Sequence, residues 1–146
     1  MPFELRDHTA DVAVEATAPT LSELFGAVAD GLAAASCEDV PTAGGAEFEV
    51  AVTAEGREAL LFDYLDRLIY ERDVRGVLPV EHRVRVDPPG SEPRPDVDGD
   101  GWAVSGVSRG VPLDAVDARE VKAVTYSEMQ IAETATGWSA YVVFDV

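Results

Sequence analysis

Only two stretches of this chain repeat apolar residues every three to four positions; elsewhere they alternate or pause. Leu21, Leu24, Phe25, Val28 and Leu32 form the first stripe, and Leu60, Leu61, Tyr64, Leu65, Leu68 and Ile69 the second. A stripe of that period is one face of an amphipathic helix, so two helices are expected, over 21–36 and about 57–72. Thr20 and Glu23 have capping-box spacing and set the start of the first helix. Glu58, Asp66, Arg67 and Glu71 are assigned to the outer face of the second.

The remaining apolar residues recur at every second position, the period of half-buried strands. Phe3 with Leu5, Val12 with Val14, and Phe48 with Val50 and Val52 give three strands. Val80 to Val86 and the region of Trp102 and Val104 give two more, separated by the turn-rich DPPGSEPRPDVDGDG. SRGVPLDAVDA reads as a loop, and EVKAVTYSEMQIAE and WSAYVVFDV, joined by TATG, are the last two strands. The order β-β-α-β-α-β-β-β-β predicts an α+β fold: a mostly antiparallel seven-stranded sheet, or two sheets, with two helices packed on one side. At 146 residues one domain over 1–146 is expected.

The chain carries 28 acidic and 11 basic residues, a net charge of −17, and Lys122 is its only lysine. Such a surface repels phosphate backbones, whose binding relies on Lys and Arg displacing counterions, so direct nucleic-acid binding is not expected. Cations and basic protein surfaces are the natural partners. No apolar run approaches the roughly 20 residues of a membrane span, and MPFELRDH lacks the pattern of a signal peptide. A single cysteine, Cys37, excludes an internal disulfide and a Cys-rich zinc site, so a cytoplasmic protein is expected.

Few motifs suggest chemistry. DVDGDG at 96–101 matches the opening of an EF-hand loop, but the twelfth position is Val107 rather than Glu, and helices do not flank it. His82 lies in an alternating strand and is assigned to its surface with no role. Cys37 has no base arranged beside it. Two segments remain. RDHTADVAVEA places Asp7, His8, Thr9 and Asp11 where a strand begins, and WSAYVVFDV ends on Asp145 and Val146. Either the acidic end frays into water, or Asp145, the carboxylate of Val146 and one further acid converge on a cation. Hard oxygen donors of this kind favour Ca²⁺ or Mg²⁺.

Taken together, DHTADVAVEA, ALLFDYLDRLIYERD, EVKAVTYSEMQI and YVVFDV resemble the archease family over nearly the full length. The resemblance implies a small acidic protein that is not an enzyme in its own right. It would assist the RNA-splicing ligase that joins a 2′,3′-cyclic phosphate or 3′-phosphate end to a 5′-hydroxyl end, in tRNA splicing and RNA repair. It would do so by promoting guanylylation and multiple turnover of that ligase. The resemblance also implies a divalent cation, Ca²⁺ or another hard ion, held by Asp11, Asp145 and Val146. His8, Thr9, Lys122 and Thr125 are then candidate partner-facing groups, with His8 and Thr9 equally readable as structural. The family pattern KAVTYHE reads KAVTYSE here, so Ser127 stands where a histidine is usual. Two other readings stay open: a metal-dependent phosphoesterase acting alone through Asp11 and His8, and a chaperone-like adaptor with no metal dependence.

Overall fold

In the structure, a computed structural model, residues 3–7, 11–90 and 101–146 are described. The elements follow the expected order: β1 (Phe3–Asp7), β2 (Asp11–Ala18), α1 (Leu21–Ser36), β3 (Ala46–Ala54), α2 (Arg57–Arg75), β4 (Val77–Asp87), β5 (Trp102–Pro112), β6 (Ala123–Thr134) and β7 (Gly137–Asp145). Thr20 caps α1 as its spacing predicts, its hydroxyl accepting from the Glu23 N–H at 3.1 Å. Gly76 ends α2 in the left-handed region, φ 66°, where a side chain is disfavoured. β5 runs on through 108–112, which the sequence reading leaves in a loop. Its Ser108, Gly110 and Pro112 pair with β3 or β4, and that ladder outweighs the local Gly and Pro signals.

Two antiparallel sheets result, one ordered β1-β2-β7-β6 and the other β3-β5-β4. α1 packs on β1, β2 and β7 of the first sheet and on β4 of the second, while α2 packs on β6 of the first and on β3, β4 and β5 of the second. Each sheet therefore has the helices on one face, and the two sheets share them. Phe25, Leu24, Tyr64, Leu65, Val14 and Phe144 are fully buried in the common core. Among the described residues, no helix is long and apolar enough to cross a membrane.

A helix pressed from two sides needs small residues at both contacts, and α1 has them. A Cβ on Gly31 would lie 2.6 Å from Val14 Cγ1 of β2, and one on Gly26 would lie 3.4 Å from the His82 carbonyl oxygen of β4. On either side of Gly26, α1 also hydrogen-bonds the free edge of β4. The Val86 N–H donates to Ser22 Oγ at 2.9 Å, and the His82 N–H donates to Asp30 Oδ1 at 3.5 Å. Ser22, Gly26 and Asp30 recur every four residues, so one helix stripe covers an edge strand that would otherwise invite pairing.

Helix propensity alone makes Gly31→Ala stabilising by about 1 kcal/mol. The expected outcome is the opposite sign, because Val14 is buried, β-branched and stiff at χ1. Urea unfolding of Gly31→Ala should show a loss of stability, and the same change should cost less in a Val14→Ala background than in the wild type.

Candidate functional site

β2 and β7 pair so that Asp11 lies directly opposite Asp145. Val12, Val14 and Ala16 on β2, and Ala140, Val142 and Phe144 on β7, face the helices. Strand alternation therefore sends both aspartates to the other face of the sheet. Opposed residues in an antiparallel pair have Cβ atoms roughly 4.5–5.5 Å apart, and like charges there are destabilising unless something neutralises them. Asp145 is exposed, Asp11 is half-buried, and Asp11 Oδ1 is buried. Val146 packs its side chain against the core, which fixes the chain beyond Asp145.

A brace from α2 holds this corner. The buried Arg72 donates from Nη1 to the Val121 carbonyl at 2.6 Å and pairs with Asp73 at 2.9 Å. The next residue, Lys122, donates its backbone N–H to the Asp145 carbonyl at 2.8 Å. Lys122 is exposed, and Ala123 completes the row by pairing with Asp145 from β6. Thr125 lies further along β6, its hydroxyl accepting from the Ser127 N–H at 3.2 Å. His8, Thr9 and the DVDGD of DVDGDG lie outside the described residues.

The donor set is two carboxylates side by side on one face, next to the end of the chain. That chemistry fits a hard divalent cation and not a soft one. Among the described residues, no three His, Cys, Asp or Glu side chains converge. Val146, the third donor that the family resemblance implies, follows Asp145 directly.

A second polar cluster sits at the seam of α1 and β4, and here the sequence reading needs correction. His82 is not a surface residue. Its ring turns inward, Nδ1 meets Ser108 Oγ at 2.7 Å, and Nε2 is buried with no partner among the described residues. The cause is a bulge: Val80 pairs with Arg109 and Arg83 with Val107, so Glu81 and His82 share the space opposite Ser108. Glu81 takes a left-handed φ of 51° to allow it. Burial pushes the His82 imidazole down to about 4. Burial also pushes the Asp30 carboxyl up, against the bond from the His82 N–H and with the charge of Glu81, and it raises the Tyr64 hydroxyl. The grouping is not a hydrolytic triad: Asp30 binds the main chain of His82 rather than its ring, and Ser108 is 1% exposed.

Glu71 is the other correction, being buried rather than outside. It is clasped by Arg67 at 3.0 Å and Arg75 at 2.5 Å, and the Arg75 hydrogen bond, outweighing the cost of burial, lowers its pKa. Cys37 is buried, its Sγ donating to the Asp39 carbonyl at 3.4 Å.

Residues 3–146 match the model of the Archease protein family (MTH1598/TM1083). The protein archease of Methanopyrus kandleri is 34% identical over 155 residues, covering 100% of both chains. That of Methanosarcina acetivorans is 30% identical over 147 residues, covering 99% of this chain and 95% of the relative. The solution structure of Methanobacterium thermoautotrophicum protein 1598 superposes with a TM-score of 0.79 at 30% identity, covering 99% of each chain. A Thermotoga maritima archease, described as a possible chaperone, shares the fold with a TM-score of 0.61 at 22% identity, covering 98% and 96%.

An imidazole held at about 4 in the folded protein binds its proton more readily in the unfolded chain, where 6.5 is ordinary. Its contribution to stability is whole above about pH 6.5 and is lost as pH falls towards 4, while Asp30, with its raised pKa, acts in the opposite sense. The stability advantage of the wild type over His82→Gln, measured by urea unfolding, should therefore shrink by about 2 kcal/mol between pH 7 and pH 5.

Proposed function

Because this chain belongs to the Archease family, we propose that it is a non-enzymatic activator of the RNA-splicing ligase that seals 2′,3′-cyclic phosphate or 3′-phosphate ends to 5′-hydroxyl ends. It promotes guanylylation and multiple turnover of that ligase, and Asp11, Asp145 and Val146 hold a divalent cation, Ca²⁺ or a similar hard ion. The observation that carries the reading is the register of β2 on β7, which stacks Asp11 against Asp145 on one face. Two unlike parts of the sequence are brought together there, with no benefit to the core.

What the chain's own residues do follows from their placement. Arg72, through Val121 and Lys122, fixes the main chain of Asp145, so the two carboxylates stay side by side. A bound cation supplies positive charge that offsets their repulsion and orders the corner. The acidic surface steers the protein to a basic partner surface and away from RNA. A protein that binds one state of its partner more tightly raises the population of that state without doing chemistry, which is how guanylylation is favoured here. The exposed Lys122 faces that partner beside the carboxylates.

Guanylylation of the ligase, followed with labelled GTP, tests this. Asp11→Ala and Asp145→Ala are expected to lose most of the stimulation while remaining folded; equal stimulation by both variants and wild type would remove the proposal. A chaperone-like adaptor, the description given to the Thermotoga maritima protein, predicts stimulation that survives chelators and extends to unrelated clients.

The carboxylate of Val146 has its own test. A peptide tag after Val146 should weaken Ca²⁺ affinity on the order of tenfold in calorimetry, since it replaces a charged donor with an amide. The same tag placed before Met1 should leave the affinity unchanged.

A further inference from the structure

β6 leaves its ladder for four residues. Thr125 pairs with Val143 and Gln130 with Tyr141, so Tyr126, Ser127, Glu128 and Met129 all stand opposite Val142. Glu128 takes a left-handed φ of 59°, uncommon for a side chain of its size, and the Thr125 hydroxyl pins the excursion through the Ser127 N–H. A distortion that large re-aims a side chain. Here it lays the Tyr126 ring flat on Phe62 of α2, with centroids 4.0 Å apart and planes 3° from parallel.

Stacking covers one face of Tyr126 and leaves the residue 55% exposed. Asp63 follows Phe62 on α2, and Asp66 is one helical turn further on. Partial burial, then the Asp66 charge, pushes the Asp63 carboxyl up; burial, then Asp63, does the same to the Tyr126 hydroxyl. The groups are close enough to feel one another, and among the described residues none is paired with a cation. Among the described residues, the ion pairs of α2 use Glu71 and Asp73, leaving Asp63 and Asp66 outside them. Arg67, which sits on the same helix, is committed to Glu71 and to the ring of Tyr70.

We infer that the open face of Tyr126, with Asp63 near it and Asp66 next to Asp63, is a docking point for an arginine on the surface of a protein partner. A guanidinium is flat enough to lie on the exposed ring and has donors for both carboxylates, whereas an ammonium can satisfy only part of the arrangement. An RNA base could stack on the same ring, but its phosphates would meet two carboxylates on a chain of net charge −17. A second copy would bring an equal negative charge. The patch lies over α2, while Asp11 and Asp145 project from the opposite face of the sheet, so partner docking and cation binding are separable.

If the partner is the ligase, which rests on the function proposed above, its affinity for this protein reads the docking point directly. Tyr126→Leu keeps apolar cover on Phe62 and removes the π face; Asp63→Asn with Asp66→Asn removes the charges. Each is expected to weaken ligase binding on the order of tenfold, with Ca²⁺ affinity and urea midpoint unchanged. Binding equal to wild type overturns the inference and leaves the proposed function standing. If wild type itself does not bind the ligase, the proposed function falls, and NMR titration decides the docking point. Amidated Gly-Arg-Gly is expected to shift the Tyr126 and Phe62 ring signals more than Gly-Lys-Gly does. No arginine effect, larger shifts with a short RNA, or a dimer that depends on Tyr126 in sedimentation would overturn it.

Discussion

The whole molecule turns on the two-sided approach of α1. A helix between two sheets must bring its backbone close to both, and the glycines at 26 and 31 permit this, one towards β4 and the other towards β2. The stripe that meets β4 is polar as well as small, because it lies along a strand edge with main-chain groups to satisfy. Among the described residues the sheets have no substantial contact with each other, so their relative position is set by the helices. Buried polar groups follow from that geometry. Asp30 is desolvated because the edge of β4 needs an acceptor, and His82 is desolvated because the bulge beside it turns the ring inward.

The acidic corner depends on the same layer. The helices fix which face of the four-stranded sheet is apolar, and strand alternation then assigns Asp11 and Asp145 to the other face. A slip of β2 by one residue against β7 would bury the Asp11 carboxylate and turn Val12 and Val14 out of the core, a loss far larger than the repulsion between the two acids. The repulsion is thus imposed on the site by the core. α2 contributes the remaining restraint, through the guanidinium of Arg72 on Val121 and the Lys122 N–H on the end of β7.

The regular part of this architecture is legible in the sequence, because helix and strand periods differ and the apolar positions keep to them. Thr20 and Glu23 place the start of α1 to the residue. What the alternation does not give is the pairing of strands, since Val12 could face any partner of the same period. Family resemblance, and not spacing, links Asp11 with Asp145 in the sequence, and the register of β2 on β7 sets them opposite one another. The bulges escape for a related reason. Neither Glu81 nor Glu128 is the glycine or asparagine that normally announces a left-handed residue, so His82 reads as a surface residue and Tyr126 as an ordinary strand position. Glu71 reads as exposed because a carboxylate on a helix usually is, and only the arginines on the turns either side of it make its burial tolerable.

The charge balance has a structural cause as well. Five of the ten arginines bind acceptors that the fold presents to them, and two of these, Arg72 and Arg109, are buried in doing so. Arg109 donates to the carbonyls of Pro41 and Gly44 and pairs with Glu81; Arg119 donates to the carbonyl of Ala35 near the end of α1; Arg72 reaches Val121; Arg67 and Arg75 share Glu71. A planar guanidinium can hold two or three such acceptors in fixed directions, and an ammonium cannot, which accounts for arginine over lysine at these sites. Arg83 and Arg85, which do face solvent, are paired with Glu47 and Asp87. With these arginines engaged, the net charge of −17 is presented by the carboxylates. Among the described residues Lys122 stands apart, its strongly hydrated charge exposed next to the main chain of Asp145. An exposed point charge of that kind suits the partner-facing role proposed for it.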